Sequence, residues 1–459
     1  TVDDMWAVSR VGTPALSPDG KTVAYTVSVY DMEENRLNGD VWTIPLSGGT
    51  PRRLTTNKAS DGSPAWSPDG KRLAFVSKRD GDAAAQLYVI SVDGGEPDRV
   101  TEMPIAVSNP EWLPDGKRIA FVSHVIAGSE SPADTKKALE TREKNKVKAR
   151  VTENRLFRYW DRWLTDNEFP HIFVVDVGTK KVTDLLPGSK RLFDLQEGTG
   201  KFDVSPDGKW IAFEANSTPE PYEKLNRDVF LVPTAGGEVR NLTTANAADD
   251  TAPVFSPDGK SIAYGVEVKP DGWPDHTRLA VMDVSSGRTS VLTEGFDVSA
   301  SGWAWSADGR TIVFHAESRA RTNLYAIPAT GAKGGAPKEI RRGGTTSGAD
   351  VSTDAQVVFQ QHGITQPPEL AVVKLDGTGY RALTHVNDEL AARVAWGKLE
   401  EFTFAGADGD GVQMFVVYPP GFDEKKKYPL VHMIHGGPVG TFGDAFSFRW
   451  NPQAFAAPG

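Results

Sequence analysis

Short apolar runs separated by turns recur along most of the chain, at intervals of about fifty residues. Each unit opens with a turn of the Ser-Pro-Asp-Gly-Lys type, in which proline presets φ, aspartate caps the turn and glycine takes a positive φ. An alternating strand follows, as in VAY at residues 23–25 and LAF at 73–75. A second apolar strand, a glycine-rich turn and a strand ending in Leu-Thr complete the unit. The pattern predicts units of three or four β-strands.

Seven such turns can be counted. Six carry a glycine, with spacings of 50, 46, 92, 51 and 50 residues, and a degenerate copy, VSTDAQ, begins at Val351. Units of this length predict a mainly β fold, a seven-bladed β-propeller over residues 12–395, behind an N-terminal helical segment at 1–11. An open solenoid or separate sandwiches are the alternative, but only a closed ring leaves no sheet edge exposed. The six glycines are Gly20, Gly70, Gly116, Gly208, Gly259 and Gly309.

The interval of 92 residues indicates one enlarged blade. Residues 127–165 do not alternate like strands, and Ser131-Pro132 is a helix-entry signal followed by many Lys, Arg, Glu and Ala residues. We interpret this segment as a helical insertion in the third blade. A solvated helix is the simpler interpretation of its role. A lid beside a substrate entrance is the functional one, because aromatic residues at such density need a packing partner. They are Phe157, Tyr159, Trp160 and Trp163, with Asp161 among them.

Composition narrows the classes of protein that fit. The 459 residues include 51 Lys and Arg against 61 Asp and Glu, and a net charge of −10 argues against binding along nucleic acid. The lack of cysteine excludes disulfides, thiolate metal sites and a cysteine nucleophile. The histidines lack metal-ligand spacing, so we expect no metal and no cofactor. No apolar run reaches the length of a membrane span.

After Trp396 the repeat stops. A predicted hairpin around residues 402–418 is followed by the apolar stretch PLVHMI at 429–434, which predicts a strand, and then by His435-Gly436-Gly437-Pro438. In α/β-hydrolases a turn of this kind supplies a backbone N–H to the oxyanion hole. The sequence therefore predicts that residues 396–459 begin a hydrolase domain. Gly436 and Gly437 form its oxyanion loop, which His435 and Pro438 shape.

The order of these segments resembles the prolyl oligopeptidase family of serine peptidases. The propeller units are followed by YPPGF at 418–422, YPLVHMIHGGPVG at 428–440 and FSFRWNPQAFAAPG at 446–459. The branch of dipeptidyl-peptidase V and the acylaminoacyl-peptidases is the most similar, on RYWDRWLTDNEFPHIFVVDV at 158–177 and RWNPQ at 449–453. The resemblance extends over the whole chain.

This resemblance implies a serine exopeptidase with a Ser, Asp and His triad, most directly one that releases dipeptides from an N terminus. An acylaminoacyl-peptidase or oligopeptidase of the same family is the alternative. The chain has no G-x-S-x-G motif, so we expect all three triad residues to lie beyond Gly459. We therefore expect the chain to be an N-terminal fragment that is inactive by itself.

An exopeptidase must also bind a free α-amino group, which calls for carboxylates near the site. We expect these on the insertion, with Glu153 and Asp161 beside Tyr159 and Trp160 as substrate-binding residues. Glu140 and Glu143 are further candidates on the same segment. The simpler interpretation is that all of these carboxylates are surface charges balanced by neighbouring Lys and Arg.

The expected partners are a peptide substrate and the remainder of the chain's own hydrolase domain, and the resemblance leaves room for a homodimer. We expect no nucleic acid and no membrane as a partner. The resemblance favours a periplasmic or secreted protein over a cytoplasmic one. A hypothesis of another class is a non-catalytic propeller that serves as a binding scaffold, although the hydrolase-like segment from Phe402 onward has no role in such a protein.

Overall fold

The computed structural model describes residues 1–153, 156–164, 166–195, 200–220, 222, 224–270, 275–330, 336–437 and 440–459. Within these residues seven groups of antiparallel strands follow one another along the chain, each with its first strand innermost, and a single parallel bridge between Thr322 and Thr345 joins the last two groups into one eight-stranded sheet. They form the seven blades of a propeller, as the repeat predicts. Helix α1 (Val2–Ala7) precedes the first blade. The innermost strand of that blade already starts at Arg10, so two residues of the predicted N-terminal segment belong to the propeller.

The first three blades and the insertion of blade 3 contain strands β1 to β15. Blade 1 has β1 (Arg10–Val11), β2 (Ala15–Leu16), β3 (Thr22–Asp31), β4 (Arg36–Pro45) and β5 (Arg52–Arg53). Blade 2 has β6 (Asp61–Trp66), β7 (Arg72–Ser77), β8 (Gln86–Ser91) and β9 (Asp98–Arg99). Blade 3 has β10 (Ser108–Trp112), β11 (Arg118–Ile126), β14 (Glu168–Asp176) and β15 (Val182–Asp184). Its insertion contains α2 (Pro132–Lys144), β12 (Arg158–Tyr159) and β13 (Arg162–Trp163).

The four remaining blades have the same order. Blade 4 has β16 (Phe202–Val204), β17 (Trp210–Asn216), β18 (Arg227–Pro233) and β19 (Arg240–Asn241). Blade 5 has β20 (Asp250–Phe255), β21 (Ser261–Val266), β22 (Arg278–Asp283) and β23 (Thr289–Val291). Blade 6 has β24 (Ala300–Trp305), β25 (Thr311–Ser318), β26 (Arg321–Pro328) and β27 (Lys338–Arg341). Blade 7 has β28 (Thr345–Val351), β29 (Gln356–Gly363), β30 (Gln366–Lys374) and β31 (Arg381–Ala382).

The repeated turn owes its sequence to local hydrogen bonds. In the first copy the Ser17 hydroxyl donates to the Asp19 carboxylate at 2.6 Å, and the Gly20 N–H donates to the Ser17 carbonyl at 2.8 Å. Gly20 has φ +70°, a conformation that residues with a Cβ rarely adopt. Turns of neighbouring blades also stack, since a Cβ on Gly208 would lie 3.2 Å from Pro114 of the preceding blade. The bond between the turn serine and aspartate recurs at Ser67, Ser205, Ser256 and Ser306.

The Leu-Thr pairs that close the units cross-link strands within a blade. Just after β5 of blade 1, the Thr55 hydroxyl accepts the N–H of Val41 at 3.0 Å and donates to Asp40 at 3.2 Å. In blade 7, Thr384 accepts the N–H of Leu370 and donates to Glu369. A short outer strand is thus fixed to its neighbour by a side chain as well as by the backbone. Thr101, Thr243 and Thr293 accept the equivalent N–H in blades 2, 4 and 5.

The core lies between the blades. The seam between blades 7 and 1 differs from the other six because no chain connection joins the two blades, and neither blade takes a strand from the other end of the chain. Val11, Tyr25, Val358 and Leu370 pack in one buried cluster across this seam. The Leu16 N–H donates to Asp350 at 3.0 Å. The ring is therefore closed by packing and hydrogen bonds alone.

The chain continues with α3 (Asp388–Arg393), β32 (Leu399–Ala405), a 3₁₀ turn (Ala407–Gly409), β33 (Gly411–Val417) and α4 (Pro452–Ala456). Strands β32 and β33 form the predicted hairpin. The prediction of a strand at 429–434 is wrong for this structure, because these residues have no regular secondary structure. Leu430 is 88% exposed and Ile434 is 74% exposed. A strand requires a hydrogen-bonded neighbour, and no described strand pairs with this stretch.

Candidate functional site

The two faces of the propeller carry different connections. Because consecutive strands are antiparallel, the Ser-Pro-Asp-Gly turns lie on one face, and the hairpins between the second and third strands lie on the other. We call these the turn face and the hairpin face. The insertion of blade 3 connects β11 to β14 and therefore lies on the hairpin face. The chain after the propeller contacts the same face, at the hairpins of blades 6 and 7.

The main contact is made by residues 441–446, which we call the docking segment. The Asp444 N–H donates to the Ala320 carbonyl at 2.7 Å, and its carboxylate accepts the N–H of Ile364 at 2.9 Å. Its own carbonyl accepts the Thr345 hydroxyl at 3.0 Å. The preceding Gly443 is required by space, since a Cβ there would lie 2.7 Å from the Ala320 carbonyl oxygen. One aspartate thus connects this segment to blades 6 and 7.

Two further residues complete the docking contact. The N–H of Phe446, which is 7% exposed, donates to Nδ1 of His362 at 2.9 Å, so this nitrogen is unprotonated. Burial lowers the pKa of His362, against the opposing influence of the Asp444 carboxylate. Arg321 pairs with Glu401 of the β32–β33 hairpin at 2.8 Å and lies 3.8 Å from Asp444. The hairpin and the docking segment are therefore held to the propeller through the same arginine.

The predicted oxyanion loop lies between the hairpin and the docking segment. His435, Gly436 and Gly437 are exposed, and Gly437 has φ +114°. Nδ1 of His435 is 3.0 Å from the Gly436 carbonyl oxygen, and its ring is 6.1 Å from that of Phe442. A Cβ on Gly436 would meet nothing within 4 Å, so the main chain there is open to approach. Pro438 lies outside the described residues.

The insertion is helical only over its first third, which corrects the prediction of a helical insertion over 127–165. The Ser131 hydroxyl accepts the N–H of Asp134 at 3.2 Å and caps α2. Beyond Lys144 the described chain runs irregularly until β12 and β13 pair as a short hairpin. Arg142 pairs with Glu168 at 2.5 Å and Arg150 with Asp166 at 2.9 Å. These two ion pairs hold the insertion against the start of β14.

The four candidate substrate-binding residues lie close together in sequence and on the same face. Trp160 and Asp161 form the turn of the β12–β13 hairpin, where Trp160 has φ +50° and is 76% exposed. Tyr159 is half-buried, and Glu153 and Asp161 are exposed. Neither carboxylate makes an ion pair with a described residue. Their role in substrate binding remains a prediction.

The insertion and the docking segment lie across the ring from each other. Two blades separate blade 3 from blade 6 in one direction, and two separate it from blade 7 in the other. The space above the hairpin face is thus bordered by the insertion on one side and by the hydrolase-like segment on the other.

Buried carboxylates on the innermost strands were not identified from the sequence. Glu111 accepts the N–H of Val204 at 2.9 Å, and Asp203 accepts that of Phe255 at 2.6 Å. Each bond joins one blade to the next. Burial raises the pKa of Asp203 to about 7 and raises the pKa of Glu111, which the Asp203 charge raises further. In the sequence, Glu111 and Asp203 each lie two positions before the first residue of the repeated turn, which is a leucine or a serine. Asp350 has the same position in blade 7. These groups are structural links between blades.

Among the described residues, no group of three or more His, Asp or Glu side chains could hold a metal ion. No helix that the structure describes is long and apolar enough to cross a bilayer. His171, one of the scattered propeller histidines, lies 2.8 Å from Asp184 and 2.9 Å from the Ser189 carbonyl, so both ring nitrogens serve the packing of blade 3.

Comparisons with known proteins agree with this architecture. Residues 7–145 match the family model described as PD40, TolB beta propeller domain. The chain is 31% identical over 461 residues to dipeptidyl-peptidase 5 of Porphyromonas gingivalis, which covers 98% of this chain and 65% of that protein. The chain thus spans less than two thirds of that relative's length.

Two solved structures share the fold. An acylaminoacyl peptidase in complex with Z-Gly-Gly-Phe-chloromethyl ketone has a TM-score of 0.77 and 18% identity, and covers 100% of this chain and 65% of that chain. The β-propeller domain of the Trilobed protease from Pyrococcus furiosus, described as having an open velcro topology, has a TM-score of 0.56 and 16% identity. It covers 84% of this chain and 99% of that chain. The open seam between blades 7 and 1 agrees with such a topology.

Fold and site together define a seven-bladed β-propeller that is followed by a β-hairpin and an exposed glycine loop above the hairpin face. The chain is similar to dipeptidyl-peptidase 5 over nearly its whole length, and its fold is similar to that of an acylaminoacyl peptidase. These similarities support the prolyl oligopeptidase family of peptidases as the family of this chain.

Proposed function

We propose that this chain provides the propeller and the first part of the catalytic domain of a serine exopeptidase that releases dipeptides from unblocked N termini. The observation that carries the proposal is the 31% identity to dipeptidyl-peptidase 5 along 98% of the chain. The geometry supports it, because the glycine loop lies on the hairpin face, between blades 6 and 7 and the insertion across the ring.

In the proposed reaction a serine attacks the scissile carbonyl, a histidine accepts its proton and an aspartate orients the histidine. These three groups would lie in a segment equivalent to the part of dipeptidyl-peptidase 5 that this chain does not cover. The chain itself would supply one oxyanion donor, a backbone N–H of Gly436 or Gly437. A single donor of this kind contributes about 3 kcal/mol of transition-state stabilisation. The positive φ of Gly437 directs the main chain in a way that a residue with a side chain rarely allows.

The propeller would act as a filter above this site. Seven blades closed into a ring admit an extended peptide to the hairpin face but exclude a folded protein. The docking segment holds the hydrolase side to blades 6 and 7 through Asp444 and His362. Substrate would then be selected by size at the ring and by chemistry at the insertion.

Recognition of the free amino group is assigned in this proposal to Glu153 and Asp161, with Tyr159 and Trp160 beside them. Both carboxylates are exposed and on the substrate side of the ring. A charge-assisted hydrogen bond from an ammonium to a carboxylate is about twice as strong as a neutral one. Replacing either carboxylate by its amide should therefore weaken binding of unblocked peptides more than that of acetylated ones.

Release of an acylated residue is the second candidate. The acylaminoacyl peptidase structure supports it, since its fold matches 100% of this chain at a TM-score of 0.77. Such an enzyme requires no carboxylate for a free amino group. The higher identity to dipeptidyl-peptidase 5 favours dipeptide release.

The test uses the full-length protein, chromogenic dipeptides with free and acetylated N termini, chromogenic single acetylated residues, and labelling by a fluorophosphonate. We expect labelling, and hydrolysis of the free dipeptides only. Hydrolysis of single acetylated residues would favour the second candidate. A protein that neither labels nor hydrolyses any substrate would be a binding scaffold, and the proposal would be wrong.

A further inference from the structure

His362, on strand β29 of blade 7, takes part in the docking contact as a hydrogen-bond acceptor. Its Nδ1 accepts the N–H of Phe446 at 2.9 Å. A backbone amide can only donate, so this bond requires a lone pair on Nδ1. Protonation of the ring at Nδ1 would place one N–H group against another. The bond between blade 7 and the docking segment therefore exists only while the imidazole is neutral.

The donor of this bond is buried. Phe446 is 7% exposed, and its ring packs edge-on against that of Phe448 with centroids 5.1 Å apart. A buried N–H that loses its acceptor destabilises the state in which it is buried, because water cannot replace the lost partner. Protonation of His362 therefore favours a state in which Phe446 has left its site.

The surroundings of the ring favour the neutral form. Burial lowers the pKa of His362, and the Asp444 carboxylate on the docking segment opposes this effect. Charged groups on the other elements around the contact are Arg10 of β1, Arg321 of β26, Arg341 of β27 and Glu401 of β32. The docked imidazole thus becomes charged only at a pH below the ordinary range of histidine.

The direction of the pH effect follows from this lowered pKa. The docked state binds the proton less tightly than the released state, in which the ring is exposed to water. Docking is therefore at full strength above the ordinary histidine pKa of about 6.5 and weakens as pH falls through the lower pKa of the docked state. One proton changes the equilibrium constant for release by at most about tenfold per pH unit.

We propose that His362 is a positioning residue that holds the docking segment to blade 7 only in its neutral form, so that acidification releases this segment. The glycine loop is affected because Phe442 of the docking segment lies beside it, with its ring 6.1 Å from that of His435. Release of the segment removes this support from the loop. The effect on docking does not depend on the proposed function, whereas its consequence for hydrolysis rests on that function.

The test is hydrogen exchange of the full-length protein, read by mass spectrometry between about pH 5 and pH 8, the range in which histidine titrates. The measured quantity is protection, the ratio of the intrinsic to the observed exchange rate, which removes the direct effect of pH on exchange. We expect protection of residues 441–447 to fall by up to about tenfold per pH unit on the acid side. Strand β17 of blade 4 should keep its protection.

Two substitutions of His362 separate the acceptor from the charge. In His362→Asn an amide oxygen takes the place of Nδ1 and cannot be protonated in this range. This variant should keep the docking segment protected at pH 5 as at pH 8. His362→Leu has no acceptor and should show low protection at every pH. The matched control is His385→Asn, which removes an exposed histidine paired with Asp388 outside the docking contact, and should respond to pH like the unaltered protein.

Asp444→Asn tests the same inference without changing the histidine. Its amide oxygen can still accept the N–H of Ile364, but the charge that raises the pKa of His362 is lost. The loss of protection should therefore move to lower pH. Protection of residues 441–447 that does not change with pH in the unaltered protein would overturn the inference. So would an unshifted profile in Asp444→Asn, or a profile in His362→Asn equal to that of the unaltered protein.

Activity links the docking contact to the proposed hydrolysis. The ratio of kcat/KM for His362→Asn to that of the unaltered protein should rise by up to about tenfold per pH unit below the same midpoint. A triad histidine titrates in both proteins and cancels in this ratio. A flat ratio with pH-dependent protection would contradict the positioning role. If protection depends on pH but the protein shows no fluorophosphonate labelling, the inference about docking is supported and the proposed function fails.

Discussion

Removal of the Asp350 side chain tests whether the ring is closed by non-covalent contacts alone. Its carboxylate accepts the N–H of Leu16 at 3.0 Å across the seam, and the N–H of Val351 at 2.8 Å. In Asp350→Ala both donors lose this acceptor. A buried donor left unpaired costs about 1–3 kcal/mol. If this cost destabilises the closed seam relative to the open one, the equilibrium constant for opening the seam rises roughly 5- to 150-fold.

Asp203→Ala is the matched control. It removes the equivalent bond, from the N–H of Phe255 at 2.6 Å, between blades 4 and 5. The chain itself connects these two blades, so the loss there cannot open the ring. The two variants thus remove equivalent hydrogen bonds, but only the bond of Asp350 lies between two blades that no chain connection joins.

Hydrogen exchange read by mass spectrometry measures the opening directly. We expect Asp350→Ala to raise exchange in residues 10–16 and 345–351 by the factor given above, with blades 3 to 5 unchanged. Asp203→Ala should raise exchange only around its own strand. Unchanged exchange at residues 10–16, or equal acceleration around the whole ring, would refute the idea that Asp350 helps hold the seam.

Three other changes have expected outcomes. Burial raises the pKa of Asp203 to about 7, so the folded protein holds this proton more tightly than the unfolded chain, and stability falls as pH rises from about 4 to 7. Asp203→Asn should therefore raise the melting temperature at pH 8 and have less effect at pH 5. A larger gain at pH 5 would contradict this. Phe213→Ala, which removes a fully buried ring between two other phenylalanines, should cost about 3–5 kcal/mol in urea unfolding. Gly397→Ala would place a Cβ 1.9 Å from the Tyr418 carbonyl oxygen, and should make the β32–β33 hairpin sensitive to proteolysis, whereas Gly295→Ala, with open space, should not.

Much of the propeller could be predicted from short-range patterns. The turn around Ser17, Asp19 and Gly20 is formed by hydrogen bonds within six residues, so the same short sequence predicts the same turn wherever it recurs. The insertion was located by the irregular spacing between Gly116 and Gly208. Its helix was overestimated, because lysine- and alanine-rich sequence continues past Lys144 although the helix ends there.

The error at residues 429–434 has a different cause. An apolar run of this length is typical of a buried strand, but the strand exists only where another strand offers hydrogen bonds. Leu430 and Ile434 are exposed here. Sequence pattern reports the preference of these residues for burial and cannot report whether a partner is present.

What the sequence determined by itself is the repeating unit, its count and the hydrolase-like motif after it, because proline, aspartate and glycine act on neighbours a few residues away. Only the tertiary structure decided which parts face each other. Asp444 has no pattern that marks it, and its importance comes from the N–H of Ile364, 80 residues earlier in the chain. That bond, the seam at Asp350 and the position of the insertion opposite the docking segment arise only when the ring closes and brings distant residues together.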